Sequence, residues 1–203
     1  MLLELLLYNQ VFLQDKNIKI MKTLILLTAG AFSLQCSHPL ATENYSQELM
    51  SGFWYEQARY QTVGGGLFQL GSVCSGFDFK PLGSSARVSY TSRKQDPIEG
   101  RWSNITGRLD PNDEMVEGNF YQSFPWNDPP GISWNVIYLD EDWAIEYDCD
   151  EHENGSIDYC VHFVSRVPEP DMDELARLKE WIDASELNSM DRPFVEESQT
   201  DCW

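Results

Sequence analysis

Acidic and apolar side chains alternate in one stretch, which reads Asp142-Trp143-Ala144-Ile145-Glu146-Tyr147-Asp148-Cys149. Successive side chains of a strand point to opposite faces, so this alternation indicates a β-strand with one apolar face and one polar face. We expect the apolar face, with Trp143, Ile145 and Tyr147, to point into the interior of the protein.

Seven similar runs lie on either side of this stretch. They are rich in Val, Ile, Tyr, Phe and Trp and are separated by short clusters of Gly, Pro, Asn and Asp, which is the pattern of consecutive strands. The eight predicted strands comprise residues 53–61, 73–80, 86–94, 100–109, 114–122, 132–139, 142–149 and 157–166.

One helix follows the last predicted strand. Asp171 and Glu174 form a capping pair, and Leu175, Leu178 and Ile182 recur at helical spacing, so we expect a helix from about residue 171 to 187. Eight sequential antiparallel strands and one late helix predict an all-β fold: an eight-stranded up-and-down β-barrel with a C-terminal α-helix packed outside. A two-sheet sandwich is the alternative.

Three motifs resemble the lipocalin family. Gly52-Phe53-Trp54 resembles the family's Gly-x-Trp signature, residues 143–149 resemble its seventh strand, and Val164-Ser165-Arg166 resembles the end of its eighth. The resemblance implies a barrel that encloses a small apolar ligand, with Gly52, Trp54 and Arg166 closing its narrow end. The chain departs from the family at 138–140, where Tyr-Leu-Asp replaces the usual Thr-Asp-Tyr, so the geometry of that turn stays open.

The cysteine spacing is similar to that of the apolipoprotein D-like branch, because Cys36 lies sixteen residues before Gly52. This resemblance implies two disulfides, Cys36 with Cys149 and Cys74 with Cys202. It leaves Cys160 as a free thiol. If a signal peptide were cleaved after Cys36, Cys149 could instead bridge to Cys160 across the last hairpin.

The N-terminal region has the pattern of an export signal. A charged start at Met21-Lys22 precedes a short apolar run with small residues at its end, so we expect residues 1–20 to be an upstream extension, 21–36 a signal peptide and 37–203 one barrel domain. A signal anchor is the alternative. Three sequons, at Asn44, Asn104 and Asn154, fit glycosylation of a secreted, extracellular protein.

Composition excludes several classes of function. The net charge of −19 disfavours nucleic acid and anionic membrane surfaces as partners, and no apolar span supports stable membrane insertion. Three histidines leave little room for a multi-histidine metal site, and the acidic run at 148–155 lacks oxygen ligands where a calcium loop needs them. We therefore expect no metal, no cofactor and no catalytic residues. We also expect the protein to be a monomer or a weak dimer.

The resemblance implies a secreted carrier of a small hydrophobic ligand such as a fatty acid, retinoid, sterol, carotenoid or bilin. Two alternatives remain: a lipid-modifying enzyme that uses Cys160 or His162, and a scavenger of cationic amines that uses Glu56 or Glu117 as inward carboxylates. Counting in twos from Arg166 and following the alternation of each strand predicts the residues that line the ligand cavity. They are Phe77, Phe79, Val88, Tyr90, Trp134, Val136, Tyr138, Trp143, Ile145, Tyr147 and His162.

We expect the secreted protein to begin between Leu34 and Ser37, because the apolar run after Met21 ends there in small residues. Sequencing the N-terminus of the protein from its native source checks this prediction. A secreted form that retains residues 2–20 would contradict it.

Overall fold

Eight long strands follow one another in a computed structural model of the protein, which describes residues 35–66, 68–94, 101–112, 115–127 and 129–203. The predicted extension and signal segment up to residue 34 therefore lie outside the described residues. The strands are β1 Gly52–Gln61, β2 Ser72–Leu82, β3 Ser85–Lys94, β4 Arg101–Pro111, β5 Asn119–Ser123, β6 Ile132–Leu139, β7 Trp143–Glu151 and β8 Ile157–Ser165.

The strands form a closed barrel rather than a sandwich. Each strand pairs antiparallel with the next, and β1 pairs with both β2 and β8. The predicted strands agree with this order. The largest difference between the predicted and observed strand bounds is at β5, which begins at Asn119 and not at residue 114. Positive φ angles at Met115 (55°) and Gly118 (88°) turn the chain before Asn119. A two-residue strand, β9 Val195–Glu196, adds to the outer side of β1.

The main helix packs against the outside of the barrel. A single turn of helix, α1 Gln47–Met50, precedes β1, and α2 Met172–Asp183 follows β8. The N-cap Asp171 accepts a hydrogen bond from the amide of Asp173, as the capping pattern predicts. Three buried side chains, Leu175, Leu178 and Ile182, share one core with the outer faces of the last strands.

The apolar face of β7 belongs to this outer core. Trp143, Ile145 and Tyr147 pack in the same cluster as the α2 leucines, and Tyr138 packs beside them. The prediction that these four residues line the barrel is therefore wrong. Alternation shows that a strand has two different faces, but it does not show which face points into the barrel. Here the helix covers the more apolar face from outside, and the polar face points into the interior.

The narrow end of the barrel is closed by Arg166. Its guanidinium carbon lies 3.6 Å from the centre of the Trp54 ring, and Nη1 donates to the carbonyl of Phe53 at 3.1 Å. Nη2 donates to the carbonyl of Leu49, just before β1. The Trp54 indole is fully buried and donates to the carbonyl of Met50 at 2.8 Å. Arg166 thus ties the end of β8 to the start of β1.

Two disulfides tie the chain ends to the barrel wall. Cys36 is joined to Cys149 on β7, and Cys74 on β2 is joined to Cys202 near the C-terminus, which are the pairs that the resemblance implies. Cys160 is a buried free thiol. The compact unit of the barrel begins at Gln35 and therefore contains Cys36.

The C-terminal segment completes the wall. β1 and β2 pair only along Gly52 to Tyr55 of β1, and beyond this point the Gln199 side chain donates to the carbonyls of Glu56 (2.6 Å) and Ser75 (2.8 Å). Gln199 therefore bridges two strands that no longer bond to each other directly.

No helix among the described residues is long and apolar enough to cross a membrane.

Replacement of Trp54 tests the closed end. We expect Trp54→Ala to lower the free energy of unfolding by roughly 3–5 kcal/mol, because it removes a buried ring and the surface on which Arg166 lies. Chemical denaturation measures the change. The control is Trp102→Ala, since Trp102 is 40% exposed on β4, and its loss should be much smaller. Equal losses in the two variants would contradict the packing of Trp54 under Arg166.

Candidate ligand cavity

A cavity of about 370 Å³ lies at the end of the barrel opposite Trp54. Four rings, Phe68, Tyr90, Phe124 and Trp126, contribute apolar surface, together with Ile105 and Ile132. Trp126 stacks on Phe124 with ring centres 5.2 Å apart, yet 69% of its surface is exposed. This cavity has a size and lining suited to one small molecule.

The inner half of the barrel is filled by its own side chains. Phe79, Val88, Trp134 and Val136 are at most 1% exposed and form one core with Trp54. A void of about 10 Å³ lies beside Phe77, where this core meets the polar side chains of Glu56, Glu146 and His162. These residues point inward as expected, but they form the packed floor and do not line the cavity.

The predicted ligand residues thus separate into distinct groups. Tyr90 and His162 line the cavity, and Phe77 borders the small void. Tyr138, Trp143, Ile145 and Tyr147 lie in the outer core under α2. Seven further cavity residues were not predicted from the sequence: Phe68, Ile105, Gln122, Phe124, Trp126, Asn127 and Ile132. Most of these lie in or beside loops, where no alternation exists to follow.

Acidic residues of β7 also point into the barrel. Glu146 lies opposite His162 in the β7–β8 register, so the two residues share the inner face. Asp148 and Asp150 continue that face and line the cavity. Counting in twos from Arg166 reaches His162 on β8, and the residue opposite it on β7 is Glu146. Extending the count to β7 in this way would have identified the three acidic residues as inward. Glu117, by contrast, is exposed beside a separate depression of about 560 Å³ near α1.

His162 is the centre of a buried polar cluster. Its Nδ1 lies 2.7 Å from Oε1 of Glu56, and its Nε2 lies 3.4 Å from Oδ2 of Asp148 and 3.6 Å from Oε1 of Glu146. Both carboxylate oxygens of Glu146 are buried and have no hydrogen-bond partner among the described residues. Burial raises the pKa of Glu146 to about 8 and also raises the pKa of Asp148.

Arg59 connects this cluster to the C-terminal segment. Its Nη1 lies 2.6 Å from Oε2 of Glu197 and 3.4 Å from Oε1 of Glu56, and all three side chains are nearly fully buried. Burial acts to raise the pKa of Glu56, but Arg59 and His162 outweigh it and hold this pKa below its usual range. Burial raises the pKa of Glu197 to about 7.

Cys160 lies on the inner face of β8, in register with Asp148 of β7. Its Sγ is 3.7 Å from Nδ1 of His162, and the residue is fully buried. Burial raises the pKa of this thiol to about 12. Because the thiolate is the nucleophilic form of cysteine, this environment argues against the catalytic role considered for Cys160.

The glycine loop at residues 64–66 packs tightly against β8 at the rim. The amide of Gly64 donates to Oδ1 of Asp158 at 3.0 Å, and the amide of Gly65 donates to Oγ1 of Thr62 at 3.1 Å. These amides are therefore already bonded and do not form an anion cradle. A Cβ on Gly65 would lie 2.0 Å from the carbonyl oxygen of Tyr159, so this position requires glycine for close approach.

No family model matches the sequence, and no curated protein matches it. Solved structures do match the fold. Insecticyanin from the tobacco hornworm Manduca sexta is 17% identical with a TM-score of 0.61, over 82% of this chain and 87% of that chain. Lobster apocrustacyanin A1 is 17% identical with a TM-score of 0.59, over 76% and 79%. H1 crustacyanin from the lobster Homarus americanus is 16% identical with a TM-score of 0.58, over 81% and 91%.

These likenesses show a lipocalin-type barrel with its helix outside, as the motifs predict. The apolipoprotein D-like branch stays a prediction from the cysteine spacing. Glycosylation stays a prediction as well, although Asn44, Asn104 and Asn154 are all exposed.

Substitution of Gly65 tests the packing of the rim loop. We expect Gly65→Ala to speed amide exchange at Gly64 and Gly65 and to destabilise the protein by about 1–3 kcal/mol, because the new Cβ overlaps backbone of β8. Hydrogen exchange and thermal unfolding measure both effects. Gly155→Ala is the control at the neighbouring hairpin, where a Cβ meets nothing within 4 Å and only the φ of 77° is strained. Equal exchange rates at Gly64 and Gly65 in the two variants would contradict the prediction.

Proposed function

We propose that the protein is a secreted carrier that binds one small, largely apolar ligand in the cavity at the open end of the barrel. The observation that supports this function is the cavity of about 370 Å³ itself, lined by rings and aliphatic side chains above a packed floor. Two disulfides support an extracellular location, since such bonds persist in oxidising compartments.

The affinity of such a ligand would come mainly from burial of its apolar surface. A ligand that buries about 300 Å² gains about 7–8 kcal/mol at 25 cal/mol per Å². Immobilising the ligand opposes part of this gain, and stacking on Trp126 or Tyr90 adds to it. We therefore expect a dissociation constant in the micromolar range, which corresponds to about −8 kcal/mol.

The lining also favours a particular shape and polarity of ligand. A volume of about 370 Å³ is near the lower end for small-molecule pockets, which favours a slender chain such as a fatty acid over a broad ring system. Gln122, Asn127 and His162 offer hydrogen bonds at the inner and outer ends of the cavity. We therefore expect the ligand to carry a polar group at one or both of its ends.

A scavenger of cationic amines is the second candidate. Asp148 and Asp150 line the cavity together with the rings of Tyr90 and Trp126, a combination that suits a small aromatic or aliphatic ammonium ion. The carboxylates expected for this function were Glu56 and Glu117. Glu56 does point into the barrel, but below the cavity, whereas Glu117 lies elsewhere.

Fluorescence titration tests the carrier function. We expect a fatty acid or retinol to quench tryptophan emission saturably, because Trp126 lies at the cavity rim. Trp126→Phe should remove most of the quenching, since the other tryptophans lie in the floor or outside the barrel. The matched control is Trp102→Phe, whose indole contacts Trp203 on the outer surface and should leave the quenching intact.

The same titration separates the two candidates. A cationic amine that binds through the acidic rim should bind more weakly to Asp150→Asn and at higher salt, whereas a fatty acid should not. If an intact protein shows no emission change with any apolar ligand or amine, the carrier function is wrong.

A further inference from the structure

Glu146 is a buried carboxyl group without a hydrogen bond to any described residue, and its nearest basic group is Nε2 of His162 at 3.6 Å. Glu146 is 1% exposed, and neither of its oxygens accepts a hydrogen bond among the described residues. An unsatisfied buried polar group is costly, and buried carboxylates ordinarily bond to donors or to metal ions. The position of Glu146 therefore calls for a positively charged group that the chain itself does not fully supply.

His162 faces Glu146 with its ring already oriented. Nδ1 lies 2.7 Å from the Glu56 carboxylate, so an Nδ1–H bond to Glu56 leaves the Nε2 lone pair directed toward the carboxylates of β7. A carboxylate that holds the second nitrogen of an imidazole is the usual support of a metal-binding histidine. Glu56 thus orients His162 so that Nε2, when it carries no proton, can bind an ion beside the carboxylates of β7.

Three donor atoms converge on one point of the barrel interior. Nε2 of His162 and one carboxylate oxygen from each of Glu146 and Asp148 all lie within 4.8 Å of one another. Nε2 lies 3.4 Å from Oδ2 of Asp148 and 3.6 Å from Oε1 of Glu146, which suits a shared ion, because two ligands that are each about 2.0–2.2 Å from one ion lie about 3–4 Å apart. We propose that Glu146, Asp148 and His162 form a binding site for one divalent metal ion.

The donor set favours a first-row transition ion. One imidazole and two carboxylates combine borderline and hard ligands, which suits Zn²⁺ or Mn²⁺ better than Ca²⁺, whose ligands are all oxygens. Three protein ligands also leave a coordination position open. Asp148 and His162 line the cavity, so that position faces it, and an ion can enter from solvent along the same route.

The surrounding charge supports a cation at this point. Among the described residues, four acidic side chains, those of Glu56, Glu146, Asp148 and Glu197, adjoin two basic ones, Arg59 and His162. A divalent ion would compensate the acidic excess of this buried cluster. This site could not be predicted from the sequence, because it combines one histidine with two residues from the face of β7 that was expected to be exposed to water.

Zinc titration of the chelator-treated full-length protein tests the proposal, with the metal alone as probe. We expect one equivalent of Zn²⁺ to bind and to raise the melting temperature. Co²⁺ should give the visible absorption of a four- or five-coordinate ion. Asp148→Asn and His162→Gln should each weaken Zn²⁺ binding at least tenfold, and Glu56→Gln should weaken it about 10–100-fold through the orientation of His162.

The matched control is His152→Gln. His152 is an exposed histidine at the rim, 2.7 Å from Asp158 and 3.9 Å from Asp150, and it should not affect the affinity of the buried site. If His152→Gln abolishes binding and His162→Gln does not, the ion binds at the rim and the proposal is wrong. Asp148→Asn decides the question if His162→Gln does not fold, because Asp148 is partly exposed.

Absence of stoichiometric Zn²⁺, Mn²⁺ and Co²⁺ binding by the folded parent protein would also overturn the site. The outcome is independent of the carrier function, because apolar ligands and amines are absent from this experiment.

Discussion

The guanidinium of Arg166 on the indole of Trp54 is the contact on which the rest of the barrel depends. Arg166 follows β8 and donates to the carbonyls of Leu49, just before β1, and Phe53, at the start of β1. These bonds join the last long strand to the first, so the sheet closes at this end. Trp54 then serves as the base on which Phe79 and Trp134 pack, and these buried side chains fill the closed end. Because one end is filled, the available space lies at the other end, where the strands spread and the loops provide the rings.

The fold was predictable from sequence because its signals are local. Alternating apolar and polar side chains indicate each strand, and clusters of Gly, Pro, Asn and Asp indicate each turn. The motifs around Trp54 and Arg166 identify β1 and β8, the two strands that close the barrel. The cavity lining was less predictable. Trp143, Ile145 and Tyr147 form the more apolar face of β7, but α2 covers that face, and Glu146 and Asp148 point inward instead. Hydrophobicity alone could not assign the faces, because the interior holds charges that are stable only through partners on other strands.

Those partners link the interior to the end of the chain. Glu56 contacts His162 and Arg59, and Arg59 contacts Glu197, which follows β9. The C-terminal segment is therefore bonded to the polar cluster as well as to the wall, where Gln199 bridges β1 and β2. Sequence analysis could not foresee this, because isolated polar residues near a terminus have no periodicity. The segment has a structural role despite its short strand and its polar composition.

The two disulfides have a consequence for how the protein fluctuates. Chain ends ordinarily fray first, and such local openings require the least free energy in a folded domain. Here Cys36 is bonded to β7 and Cys202 is bonded to β2, so both ends of the barrel unit are held to the wall. With both termini held, we expect local opening to begin in loops that carry no disulfide, including those around Phe124 and Trp126 at the cavity. These loops border the route that a small molecule would take between the proposed site and solvent.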